Sequence, residues 1–141
     1  MQEELVVWEG ISKNGQYDIQ EVHEDERGLK IKLVSEDDGS LLELFWDVLV
    51  LGYKNVDESF WSDTLEKLML LYGESFITSH TFFVVNNSLF SQEIERGCKG
   101  AIKKEQMFHL KIASTNSIFD VVAWGEPKIK IMKKEDSNGI Y

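Results

Sequence analysis

LLELFWDVLVLGYKNVDESFWSDTLEKLMLLYG, residues 41–73, decides the reading of this chain. From Leu41 to Tyr53 it is an apolar run with Leu42, Leu44, Trp46, Val48 and Val50 on one face and Phe45, Leu49, Leu51 and Tyr53 on the other. A strand apolar on both faces belongs inside a sheet that is covered on two sides. Asp47 interrupts the second face and is expected at a rim or in a hydrogen bond. The run then enters a helix. Asp57 is the expected N-cap, Val56 and Trp61 the two ends of a hydrophobic staple, and Gly73 the stop. Trp61, Thr64, Leu65, Leu68, Leu71 and Tyr72 recur at helical spacing, with Asp63, Glu66 and Lys67 turned away, so the helix should cover a sheet.

Outward from this stretch the chain reads mainly as strands. Leu5–Trp8 and Gln16–Val22 precede it, and Glu24–Gly28 is a polar hairpin connection. Leu29, Ile31 and Leu33 alternate with Lys30 and Lys32, the pattern of a half-buried antiparallel strand. Asp38-Gly39 marks the turn that follows. Beyond the helix come a dense strand at Thr81–Val85 and a short helix capped by Asn87 or Ser88 and ended by Gly97. The basic loop Gly97–Gln106 leads to three strands, Met107–Ala113, Ile118–Trp124 and Lys128–Met132. Phe108, Leu110 and Ile112 are expected inward with His109 and Lys111 outward, and Ile129 and Ile131 are expected inward. The prediction is one α+β domain over residues 1–135, mainly antiparallel, with about seven to eight strands, one long helix and one short one. Residues 136–141 are expected to fray.

The 141 residues are enough for one self-sufficient core. Twenty-five acidic against fifteen basic side chains give a net charge of -10, which repels phosphate backbones and anionic lipid. Nucleic acid and membrane are therefore not expected partners, whereas a basic protein would be steered toward the chain. Cys98 is the only cysteine, so no intrachain disulfide forms. Gln2, Glu3 and Glu4 stand where a secretory leader would be basic and then apolar, and a cytoplasmic location is expected.

Chemical signatures are sparse. His23, His80 and His109 have no metal-ligand spacing, and neither G-x-G-x-x-G nor a P-loop occurs, so no cofactor or metal is expected. Cys98 follows a helix C-terminus, where the dipole raises a thiol pKa. Asp47 and Asp120, embedded in apolar strands, are the candidate pocket acids for a small-molecule or enzymatic alternative, with the pocket between the long helix and the sheet. For partner binding the candidates are Asp37, Asp38, Asp57, Glu58, Trp61 and Asp63, with the acidic segment Glu21–Glu26 as further surface. Any of Trp8, Trp46, Trp61 or Trp124 exposed beside acids would supply an aromatic anchor.

VDESFW at 56–61, TFFVVNNS at 81–88, HLKIASTNSIFDVVA at 109–123 and EPKI at 126–129 resemble a family of small bacterial proteins common in Bacillus-like genomes, some of them similar to immunity proteins encoded beside polymorphic toxins. The chain carries Gly52-Tyr53-Lys54 where that family has a Tyr-Arg pair, and Gln92–Glu95 where it has an aromatic residue. The resemblance implies toxin neutralisation and supplies no catalytic residues. The expectation is thus a noncatalytic, acidic protein-binding module whose partner is a basic protein or toxin, with its oligomeric state open.

Overall fold

The computed structural model describes residues 2–57 and 62–132. The apolar run from Leu41 divides in two: β4 (Leu41–Trp46) and β5 (Val50–Asp57) belong to different sheets. Leu42, Leu44 and Trp46 of β4 are buried, Asp47, Val48 and Leu49 come to the surface between the strands, and most of β5 is exposed. The pattern apolar on both faces is therefore the trace of a sheet-to-sheet crossing and not of one interior strand. A carboxylate cannot cross the core unpaired, and Asp47 leaves it at the rim, where Lys128 Nζ meets its Oδ2 at 2.6 Å.

That division gives nine strands among the described residues. β1 (Glu4–Val7), β6 (Phe82–Asn86), β7 (Phe108–Ala113), β8 (Ser117–Ala123) and β5 form one sheet in the order β1-β6-β7-β8-β5. β2 (Tyr17–Asp25), β3 (Gly28–Ser35), β4 and β9 (Lys128–Met132) form the other, in that order. All the pairings are antiparallel. Between the sheets lies the main core, with Leu29, Ile31, Leu33, Leu42, Leu44 and Trp46 from one side and Phe82, Leu110, Ile112, Phe119 and Val121 from the other. The result is a single α+β domain, mostly sheet.

The turns follow their residues. At Asp38-Gly39, Gly39 takes φ 73° and the Asp38 carboxylate accepts from the Ser40 amide at 2.9 Å, closing β3 onto β4. The β2–β3 hairpin ends at Gly28 with φ 142°, and a Cβ there would lie 2.1 Å from the Trp46 carbonyl oxygen. Only glycine permits that approach.

Helices cover the outer face of the five-stranded sheet. α1 (Ser62–Tyr72) stops at Gly73, φ 92°, whose amide donates to the Met69 carbonyl at 2.8 Å. An unexpected short helix, α2 (Glu74–Thr78), follows at once. Leu65, Leu68, Met69 and Tyr72 of α1, with Phe76 and Ile77 of α2, pack on Leu5, Phe83 and Val85. Tyr72 and Phe76 stack with centroids 5.0 Å apart, which turns the buried arc toward Met69 and leaves Leu71 75% exposed, contrary to the expected stripe. Ile131, expected inward, is also exposed, because only Ile129 of β9 reaches the core. Asp57 is the last residue of β5, opposite Ser117; Glu58 and Trp61, and with them the staple, lie outside the described residues.

α3 (Leu89–Gly97) lies over the β5 side of the same face. Its cap is Ser88, whose hydroxyl accepts from the Ser91 amide at 2.9 Å. Gly52 on β5 faces Phe90 so closely that a Cβ would stand 3.2 Å from the ring. Lys54 of the same strand places its ammonium 4.3 Å from the Phe90 centroid and pairs with Glu93.

Candidate functional site

On β7 the alternation sends Leu110 and Ile112 into the core and His109 and Lys111 to the opposite face, as expected, but a helix and not solvent lies on that face. α3 covers that side, so His109 is only 5% exposed. A buried imidazole needs partners for both nitrogens. Nδ1 lies 2.6 Å from Ser88 Oγ and Nε2 lies 2.7 Å from Asp120 Oδ1 on the neighbouring β8. An ionised carboxylate only accepts, so in a neutral ring Nε2–H donates to Asp120 and the Ser88 hydroxyl donates to Nδ1. Lys111 Nζ completes the group, 3.1 Å from Asp120 Oδ1 and 3.2 Å from Oδ2. Burial pushes the Asp120 carboxyl up, but the His109 hydrogen bond and the charge of the adjacent Lys111 outweigh it and hold the group below its ordinary value.

The local chain around Ser88 is strand, turn and helix: β6 ends at Asn86, Asn87 takes φ 55°, and Ser88 caps α3. A pocket of about 210 Å³ opens beside it, lined by Asn86, Asn87, Ser91, Lys104 and Met107. The Leu89 amide, next after Ser88, donates to the Glu3 carboxylate at 2.7 Å, so a carboxylate from the chain's own N-terminal segment rests on the start of α3. Hydroxyl, imidazole and carboxylate in series can move a proton from oxygen to nitrogen.

A second surface lies where the β2–β3 hairpin meets the β4–β5 crossing. A hollow of about 420 Å³ there is lined by Glu24, Asp25, Glu26, Asp47, Val48 and Leu49, among others. Trp124, just past β8, donates its amide to the Leu49 carbonyl at 2.9 Å, and both side chains are half exposed, 51% and 53%. Tyr53 bridges the edges of the two sheets by donating its hydroxyl to Glu24 at 3.0 Å. Trp8 and Trp46, by contrast, are core residues, and Trp8 donates its indole N–H to Glu126 at 2.7 Å.

The residues singled out in the sequence do not converge. Asp37 and Asp38 sit in the β3–β4 turn; Asp38 accepts from Lys13 at 3.0 Å, and the Ser40 hydroxyl and amide together with Lys13 hold its carboxyl well below the usual range. Asp57 ends a strand of the other sheet, and Asp63 lies in α1. Asp47 is paired at the rim with Lys128, and Asp120 is in the buried string. Ser88 and His109 were legible only as a cap and an outward strand residue. The usable signal was their spacing to a paired acid: His109 and Asp120 both fall on the helix side of adjacent strands, offset by one rung, His109 opposite Val122 and Lys111 opposite Asp120.

Among the described residues no group of three or more His, Cys, Asp or Glu could hold a metal ion, and no helix is long and apolar enough to cross a membrane. In comparisons with known proteins, no family model, curated protein or solved structure significantly matches the chain.

Proposed function

We propose that the chain is an acidic protein-binding module that docks a basic protein, with neutralisation of a toxin as its most concrete form. The observation that carries this reading is the half-exposed Trp124 tied to the half-exposed Leu49 beside an acid-lined hollow. An exposed indole with aliphatic neighbours offers large apolar area at low entropic cost, and surrounding carboxylates select a cationic partner and speed its encounter. The net charge of -10 extends that attraction beyond the contact itself. The activity assigned to this face is binding. It is tested by titrating the protein with a basic toxin domain encoded beside it: tight association that weakens as salt rises supports the reading, and no association at low salt removes it.

A further inference from the structure

We propose that Ser88 is a reactive nucleophile, activated by His109 and positioned to accept an acyl group from a small ester. Three observations meet at this one place. The hydroxyl is 2.6 Å from His109 Nδ1, and His109 Nε2 is 2.7 Å from Asp120. The serine sits at the start of a nine-residue helix directly after a residue with φ 55°. It lines a pocket of about 210 Å³.

A cap explains part of this arrangement and not the rest. Capping asks the hydroxyl only to accept an amide, whereas here it also donates to an imidazole whose far nitrogen ends on an ionised, largely buried carboxylate. In the reaction the Ser88 oxygen bonds to the carbonyl carbon of the ester as its proton passes to His109 Nδ1. The bond from that carbon to the alcohol oxygen then breaks, and the departing alkoxide takes the same proton from Nδ1. Water, deprotonated by His109, releases the acyl group as a carboxylic acid and restores Ser88. Asp120 is a positioning residue that keeps the ring's Nε2 protonated and Nδ1 free to accept. The pocket walls, apolar at Val85 and Met107 but mostly polar through Asn86, Asn87, Lys104 and Glu105, leave room for a small acyl group such as acetyl. The Glu3 carboxylate on the Leu89 amide marks where a developing oxyanion would find a donor, and an ester would have to displace it.

The test is a fluorophosphonate probe on the intact protein, with the adduct located by peptide mass. Ser88 attacks phosphorus, fluoride leaves, and the hydroxyl proton goes to His109. The expected result is an adduct on Ser88, absent in Ser88→Ala and slowed by about 100-fold or more in His109→Gln. Asp120→Asn, with a folded far-UV spectrum, should both slow labelling and displace its pH profile, which a purely structural role would leave in place. A folded wild-type protein that takes no probe at Ser88, or labelling equally fast in His109→Gln or Asp120→Asn, would overturn the proposal. It stands apart from the Trp124 face, since variants there should label at the wild-type rate.

Discussion

His109 Nε2 donates to Asp120 Oδ1 at 2.7 Å across two adjacent strands, placing an ionised carboxylate beneath α3. Burial alone would raise that carboxyl, but its hydrogen bond from His109 and its contact with Lys111 depress it. A group whose folded value lies below its unfolded one contributes stability that is complete above the unfolded value, about 3.9 for Asp, and disappears as pH falls toward the folded value. Unfolding midpoints should therefore drop on acidification below about pH 4. Asp120→Asn should flatten that drop, and denaturant titrations of both proteins between neutral pH and the acid limb check it. An acid limb of equal slope in the variant would contradict the pairing.

Ser88→Ala removes the α3 cap and leaves Nδ1 of a buried imidazole without a donor. The cap is worth about 1 kcal/mol and the orphaned acceptor about 1–2 kcal/mol more. Chemical denaturation should show a loss of about 2–3 kcal/mol with an unchanged m-value, and amide exchange should accelerate first in α3.

Gly28→Ala should be among the more damaging single changes. Its φ of 142° is hostile to a side chain, and the added Cβ would meet the Trp46 carbonyl oxygen at 2.1 Å, backbone that cannot swing away. A loss above about 2 kcal/mol in equilibrium unfolding is expected, with a shifted hairpin signal.

The two leucines on α1 should behave oppositely. Leu71→Lys, at a 75% exposed site, should change stability by no more than about 0.5 kcal/mol. Leu68→Ala, which strips a side chain from the cluster around Phe83, should cost about 1–2 kcal/mol. Equal costs would mean that the expected stripe including Leu71 was the buried one.

Much of the architecture was written locally. Period-two alternation placed β3, β7 and β9 within a residue or two, and Ser88, Gly39 and Gly73 marked cap, turn and stop, because each acts on backbone groups only a few residues away. The break at Asp47 was not legible, since an apolar run on both faces reads the same whether one strand is covered twice or two strands change sheets. α2 is five residues long and owes its helicity to Tyr72 and the sheet beneath, so propensity gave no sign of it. The Ser88, His109 and Asp120 string escaped for a similar reason: 21 and 11 residues separate its bonded pairs, and their meeting depends on the pairing of β7 with β8 and the landing of α3. Trp124 was legible as a tryptophan but not as an exposed one, because β8 apart from Asp120 is apolar on both faces up to Ala123 and exposure begins where pairing ends.

The binding face is tested most directly by calorimetric titration of a basic toxin domain, encoded beside this chain, with the wild-type protein, Trp124→Ala and Leu49→Asp at low and at moderate salt. Tight wild-type binding that weakens with salt is expected, with a loss of affinity of about 10-fold or more in each variant and unfolding free energies within about 0.5 kcal/mol of wild type at these exposed sites. Variants that bind as tightly as the wild type, or a wild-type protein that does not bind at low salt, would contradict it.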